Sequence, residues 1–171
     1  SRTILRSVSN MSRPYNIYTD GSAVNNGRAG ARGGYGVVCE SDRSRDTSGS
    51  FTHGNQTNNR YELEAIKKAT EIARDVNHRD INIKSDSEYA VKSVNTWSKN
   101  WEQNGWRTSS GQPVQNQDLI QSINRNVSDL RASGKNVGFE HVRGHQTDYH
   151  NNEADRLART AANSNRVHEK Y

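Results

Sequence analysis

The chain has little of what membrane, disulfide-bonded or cysteine-rich zinc proteins depend on. Its 171 residues include one cysteine, which excludes an intrachain disulfide and a zinc site built on several cysteines. No apolar run approaches the roughly 18 residues that a membrane-spanning helix needs. With only two prolines and clear periodic segments, disorder throughout the chain is excluded. Hydrophobic residues make up 30%, which predicts a small core confined to a few elements.

Length and charge indicate one mildly basic domain. Lys and Arg number 24 against 19 Asp and Glu, a formal net charge of +5 that is compatible with a nucleic-acid partner but does not require one. Residues 1–14 carry three arginines and no acid. They are predicted to be a basic tail or linker, with a weak similarity to an organelle transit peptide. The domain is expected at 15–163, followed by a short tail at 164–171.

The hydrophobic pattern predicts three strands and then alternating helices and strands. Six of the 13 glycines lie between Gly21 and Gly36, which predicts a flexible loop after the first strand. Asparagine pairs at 58–59 and 151–152 predict the starts of two helices. The predicted strands are 15–20, 35–40, about 48–53, 80–85 and 137–142, and further helices follow residue 87 and cover 117–132. This order predicts an α/β fold with a mixed sheet and helices packed on it.

Four acidic residues stand at the ends of these elements. Asp20 and Asp86 end strands, while Glu62 and Asp155 are expected in the first turns of helices. Each alone has a structural explanation, because Asp is common in turns and acids in a first helical turn complement the helix dipole. If the two strands are parallel neighbours, however, the four carboxylates meet at one sheet edge and need a hard cation as counter-charge. Two such ions about 3.5–4 Å apart form a site that cleaves phosphodiesters.

Five segments, in order and with family-like spacing, resemble type 1 ribonuclease H over residues 15–162. The segments are Tyr18-Thr19-Asp20-Gly21-Ser22, Thr57-Asn58-Asn59-Arg60-Tyr61-Glu62-Leu63, Ser85-Asp86-Ser87-Glu88-Tyr89, Gly144-His145 and Asn152-Glu153-Ala154-Asp155-Arg156-Leu157-Ala158. The resemblance implies a ribonuclease H-like mixed five-stranded sheet flanked by helices. It also implies an endonuclease that cuts the RNA strand of RNA–DNA hybrids and leaves 3′-hydroxyl and 5′-phosphate ends.

The resemblance further implies the roles of the acidic residues. Asp20 would bridge two Mg²⁺ ions, for which Mn²⁺ can substitute. Asp155 would hold the ion that activates the attacking water, and Glu62 and Asp86 would hold the other. His145 would assist proton transfer or product release, and its loss is expected to slow the reaction less than loss of an acid.

Substrate contacts are implied for amide and aromatic side chains. The expected readers of RNA 2′-hydroxyls are Asn26, Asn58 and Asn59. A channel beside the DNA strand would be lined by Tyr89, Trp97 and Trp101, and a phosphate pocket by Thr57 and Asn116. From the residues alone, the two asparagines at 58–59 are equally explained as helix caps, and the tryptophans as packing of a helical protrusion, Trp106 above all.

The protrusion at 97–107 departs from the family's lysine-rich pattern. It carries Glu102 and Gln103, so weaker and less salt-dependent hybrid binding is expected there. Arg28 and Arg32 in the glycine loop are the candidates for compensation. Glu88 stands where some relatives have a glutamine that contacts the minor groove, which puts that contact in doubt.

Alternatives remain open at this point. The chain could be the ribonuclease H domain of a retroelement reverse transcriptase, or a hybrid-binding module without catalysis. The four acids argue against the second. A monomer without membrane attachment is expected. The resemblance implies a location inside the cell, in the nucleus or mitochondrion of a eukaryote or the cytoplasm of a bacterium.

Overall fold

Five strands form one mixed sheet in the computed structural model, which describes residues 13–26, 30–51, 54–143 and 148–168, with side chains to 164. The strands are β1 Tyr15–Val24, β2 Arg32–Cys39, β3 Thr47–Gly49, β4 Asp80–Ser85 and β5 Asn136–His141. Their order across the sheet is β3-β2-β1-β4-β5. The β1–β2 and β2–β3 pairs are antiparallel, whereas β1–β4 and β4–β5 are parallel. The predicted mixed five-stranded sheet is confirmed.

Helices cover both faces of this sheet. They are α1 Asn58–Ala73, α2 Glu88–Lys92, α3 Ser98–Gln103, α4 Gln117–Ala132 and α5 Tyr149–His168, with a π-helical turn at Ser93–Trp97 joining α2 to α3. The α1 helix packs on β1 and on α4, and α5 packs on β1 and β2. None of the helices in the described part of the chain is long and apolar enough to cross a membrane.

The main core lies between the sheet and the α1–α4 pair. Leu63, Ile66 and Ala69 recur at helical spacing on α1 and are fully buried. Alternate residues of β4, Ile81 and Ile83, point into the same core because successive strand side chains face opposite sides.

The glycine loop predicted after β1 is too long, because β1 extends to Val24 and β2 begins at Arg32. Ser22 pairs with Gly34, and Asp20 pairs with Gly36. A Cβ atom on Gly36 would lie 2.3 Å from the carbonyl oxygen of Ala154 on α5. These glycines therefore allow α5 to lie directly on the sheet, rather than making the chain flexible. Asp20 consequently lies inside β1, just past the point where its parallel pairing with β4 ends.

The predicted helix starts are also displaced. The cap of α1 is Thr57, whose hydroxyl accepts the Arg60 N–H. Asp148 precedes α5 and accepts the backbone N–H groups of His150 and Asn151. Both asparagine pairs are therefore helical, and Glu62 and Asp155 lie beyond the first turns of their helices, where the helix dipole does not explain them. The α5 backbone continues past residue 163, and the domain boundaries stay a prediction.

Candidate active site

Three different elements deliver the acidic side chains to one point. The last pair in the parallel β1–β4 register is Thr19 with Ser85, so the next residues, Asp20 and Asp86, lie side by side. Gly21 brings α1 against β1, because a Cβ there would meet the Glu62 backbone nitrogen at 2.2 Å. This close approach places Glu62 over Asp20.

The structure groups three of these carboxylates tightly. One oxygen each from Asp20, Glu62 and Asp86 lies within 4.8 Å of the other two. Asp20 is 4% exposed and Glu62 is 8% exposed. Asp155 lies outside this trio, near enough for its negative charge to act on the Asp20 carboxyl. The Oδ2 atom of Asp155 is 2.8 Å from Nη2 of Arg159.

None of the ion pairs among the described residues involves Asp20, Glu62 or Asp86. Burial, followed by the negative charge of Asp86, raises the pKa of Asp20 to about 8. Burial and the two neighbouring aspartates raise the pKa of Glu62 well above its ordinary range. The pKa of Asp86 is also raised, first by burial and then by the charge of Asp155.

These carboxylates are suited to bind a hard cation. The Oε2 atom of Glu62 is buried without a hydrogen-bond partner among the described residues. Carboxylate oxygens are the ligands that Mg²⁺ and Mn²⁺ take, and a divalent ion would supply the missing charge. The cluster could therefore bind a metal ion.

Polar side chains form a second region, a cavity of about 420 Å³. Its lining residues are Asn26, Asn55, Thr57, Asn58, Asn59, Arg60, Gln115 and Asn116. The Asn58 N–H donates to Oδ1 of Asn26 at 2.8 Å, and Oδ1 of Asn58 accepts the Ala23 N–H at 2.7 Å. The structure thus brings the five predicted amide and hydroxyl contacts into one polar pocket.

Asn116 links this pocket to the aromatic residues. Its Oδ1 accepts from Nη1 of Arg60 at 3.4 Å, and its Nδ2 donates to the Tyr89 hydroxyl at 3.1 Å. Arg60 also pairs with Asp118 at 2.6 Å. Arg60 follows the asparagine pair directly and lines this pocket with a positive charge, a role that was not predicted from the sequence.

The aromatic side chains form a continuous row. Tyr89 and Trp97 have ring centroids 6.2 Å apart, and Trp97 and Trp101 are 5.8 Å apart. Both tryptophans are half-buried, so each presents part of its ring to solvent. Trp106 packs beyond Trp101 at 6.3 Å, at the core side of the protrusion.

Some predicted residues lie elsewhere or outside the described residues. His145 and Arg28 fall in segments that the structure does not describe. Arg32 is on β2 and is 9% exposed, so its prediction as a loop cation compensating for the protrusion is wrong. Arg32 lies in the β1–β2 hairpin, opposite Val24, rather than in the loop. Glu88 is exposed and pairs with Lys92 at 2.5 Å on the next turn.

Comparison with known proteins identifies similar sequences. The RNase H family model matches residues 12–163. A Ribonuclease H of Schizosaccharomyces pombe is 47% identical over 146 residues, covering 85% of this chain and 52% of that protein. A Ribonuclease H of Pseudoalteromonas atlantica is 38% identical over 151 residues, covering 85% of this chain and 88% of that protein. The chain thus spans about half the length of the yeast relative and most of the bacterial one.

A solved structure supports the same grouping. LC9-RNase H1, described as a type 1 RNase H with the type 2 active-site motif, superimposes with a TM-score of 0.69 at 30% identity. The match covers 89% of this chain and 74% of that one. Both the sequence and the fold of this chain therefore resemble those of RNase H proteins.

Proposed function

The chain belongs to the RNase H family, and on that premise we propose that it is a metal-dependent endoribonuclease that hydrolyses the RNA strand of RNA–DNA hybrids. The convergence of Asp20, Glu62 and Asp86 within 4.8 Å carries this proposal. A hybrid-binding module would have no need for three carboxylates, two of them buried, at the cost of raised pKa values.

The four acids are proposed as the metal-binding residues. Asp20, Glu62, Asp86 and Asp155 would hold two Mg²⁺ ions, with Mn²⁺ as a substitute. When bound, such a pair activates a water molecule and stabilises the leaving oxygen of a phosphodiester. The water oxygen bonds to phosphorus as the bond from phosphorus to the 3′ oxygen breaks, which yields 3′-hydroxyl and 5′-phosphate ends.

The remaining side chains would bind and orient the hybrid. Asn26, Asn58 and Asn59 line the polar pocket and offer neutral donors and acceptors suited to RNA 2′-hydroxyls. Thr57 and Asn116 would hold a phosphate of the DNA strand, with Arg60 supplying positive charge. Tyr89, Trp97 and Trp101 offer flat apolar surface to deoxyribose. His145 is proposed to assist proton transfer or product release.

A cleavage assay tests the proposal. The chain should cut the RNA strand of a labelled hybrid of about 20 base pairs in Mg²⁺, and not in chelator. Double-stranded RNA or DNA should not be cut. Asp86→Asn is expected to lower the rate on the order of 10³-fold or more, because the substitution removes one charged oxygen from the cluster.

The matched control is Asp80→Asn at the opposite end of β4. This substitution makes the same chemical change far from the acidic cluster, so the rate of RNA cleavage should stay at the wild-type value. Binding of hybrid without cutting under any divalent ion would contradict the enzyme and favour the binding module.

Trp97→Ala is expected to raise the KM for hybrid about tenfold with little change in kcat, because the lost ring contacts substrate away from the reacting bond. Steady-state kinetics on the same hybrid measure both constants. Trp106→Ala removes an equal ring from internal packing and should lower stability while leaving KM unchanged. Equal KM values for the two variants would contradict the proposal that Trp97 contacts the substrate.

We further propose that the domain spans 15–163, acts as a monomer and works inside the cell, where its hybrid substrate forms. Related proteins occur in both eukaryotes and bacteria. The nucleus or mitochondrion in the first case, and the cytoplasm in the second, is the corresponding compartment.

A further inference from the structure

The polar pocket between α1 and α4 contains one arginine, and the charge of that arginine is paired. Arg60 is the one ionisable side chain among the described residues that line the pocket, since the others are asparagines, a glutamine and a threonine. Its guanidinium donates to the Asp118 carboxylate twice, from Nη1 to Oδ1 at 3.0 Å and from Nη2 to Oδ2 at 2.6 Å. Bidentate pairs of this kind are among the strongest charged hydrogen bonds. The described wall of the pocket and its ion-pair partner therefore carry no net charge.

Asp118 reaches Arg60 from outside the pocket. It lies in the first turn of α4 and lines a separate cavity, on which Arg60 also borders. The Asp118 side chain is 62% exposed, whereas that of Arg60 is 12% exposed. The hydrogen bonds from Arg60 lower the pKa of Asp118, so this carboxylate is charged at neutral pH. A phosphate that approaches Arg60 in the pocket therefore also meets a nearby negative charge.

Arg60 has further contacts that hold it in place without Asp118. Its guanidinium carbon lies 5.7 Å from the centre of the Phe51 ring, and its Nη1 donates to Asn116 at 3.4 Å. A Cβ atom on Gly54 would lie 3.3 Å from Nε, so the backbone covers that side as well. The Nε atom is buried without a hydrogen-bond partner among the described residues. Because the fold already encloses the arginine, the main contribution of Asp118 is its charge.

We propose that Asp118 limits the affinity of the polar pocket for a backbone phosphate by neutralising Arg60. This inference rests on the proposed function, in which the pocket holds a phosphate of the DNA strand. A free cation would attract any polyanion and make binding strongly dependent on salt. A neutral pocket binds through amide and hydroxyl groups instead, so the position of the phosphate decides whether it binds. The protrusion, which carries Glu102 and Gln103, shows the same low positive charge.

Asp118→Asn tests this inference because the amide keeps the shape of the side chain and removes its charge. The Kd for a fluorescein-labelled hybrid, measured by anisotropy in chelator at about 50 mM KCl, should fall about three- to tenfold. The slope of log Kd against log salt should steepen by about 0.9, which corresponds to one more neutralised phosphate. In Mg²⁺ the KM for hybrid should fall by a similar factor, with kcat within about twofold of wild type. Asp118→Ser removes the same charge and should shift each value in the same direction.

Asp129→Asn is the matched control for net charge. Asp129 is exposed on the same helix, about three turns later, and its replacement changes the charge of the chain by the same amount. It should leave both the Kd and the salt slope at the wild-type values. Asp118→Glu keeps the negative charge and should also bind hybrid as wild type does. Urea unfolding of each variant checks that it is folded.

The outcomes separate the role of Asp118 from the proposed function. A wild-type chain that binds hybrid without cutting it contradicts the proposed function, and the Kd values still test Asp118. Unchanged or weaker binding by Asp118→Asn overturns the inference, and weaker binding would show that Asp118 holds Arg60 in position. A gain that Asp129→Asn reproduces also overturns it, because net charge alone would then be the cause. Tighter binding with a steeper salt slope, confined to the variants that remove the charge of Asp118, supports it.

Discussion

Asp20→Asn is expected to abolish cleavage and, in the absence of metal, to make the folded protein more stable at pH 8. The loss of activity should be on the order of 10³-fold or more, because Asp20 is central to the acidic cluster. The gain in stability follows from the electrostatic cost of the same carboxylate. An asparagine keeps nearly the same shape but carries no charge, so it removes repulsion from Asp86 and the penalty of burial.

The sign of this effect depends on pH. In the unfolded chain Asp20 titrates near its ordinary pKa, whereas in the folded chain the pKa is about 8. Between these values the folded state binds more protons, so the stability of the wild-type protein falls as pH rises through this range. The penalty is absent below the unfolded pKa and complete above the folded one.

Urea unfolding in chelator at pH 4.5 and pH 8 measures this difference. At pH 8 the Asp20→Asn variant should be more stable than wild type by about 1–3 kcal/mol, and the gap should narrow at the lower pH. Added Mg²⁺ should stabilise wild type more than the variant, because the ion relieves the same repulsion.

Asp80→Asn is the control, because the pKa of Asp80 is shifted in the opposite direction to that of Asp20. A hydrogen bond from Asn136 lowers the pKa of Asp80, so its replacement should not stabilise the protein at pH 8. A variant Asp20→Asn that is less stable than wild type at pH 8 in chelator would contradict the assigned cause.

Gly21→Ala should be the most damaging of the single-methyl additions. The new Cβ would lie 2.2 Å from the Glu62 nitrogen and 2.3 Å from the Tyr61 carbonyl carbon, and backbone atoms cannot rotate away. The α1 helix must then move off β1, which we expect to cost about 3 kcal/mol or more. The same movement displaces Glu62, so cleavage should fall at least on the order of 100-fold even where the variant is folded.

Gly138→Ala on β5 is the matched substitution. Its nearest neighbour would be Oδ1 of Asn82 at 3.8 Å, an ordinary contact. Urea unfolding and hybrid cleavage should both match wild type. A Gly21→Ala protein with wild-type stability and activity would show that α1 does not depend on this close approach.

Elements with an unbroken local pattern could be predicted closely from the sequence. The limits of β4 and α4 agree with their predictions, because each combines a clear period with a definite end. The meeting of Asp20 and Asp86 was predicted on the condition that their strands are parallel neighbours, and β1 and β4 are. The β1–β2 hairpin could not be predicted, because its glycines are required by α5, more than 100 residues later in the chain.

The same reasoning explains which parts of the site were missed. The ion pair of Arg159 with Asp155, the place of Arg60 in the pocket and its pairing with Asp118 are side-chain geometries. A sequence contains the residue types but not their directions. Local chemistry could likewise not decide between Thr57 and Asn58 as the cap of α1, since either residue type is favoured there.

The close packing of α5 on the sheet limits the amino-acid substitutions that this protein can accept. Gly34 and Gly36 face Ala158 and Ala154, so the smallest side chains already stand on both sides of the contact. A larger side chain on one side of the contact could hardly be offset by a smaller one on the other side. Packed interfaces usually change in evolution through compensating pairs of substitutions, and these positions leave almost no room for such pairs. The register of α5 on the sheet is therefore fixed by the shapes of the packed residues rather than by a bond that another bond could replace.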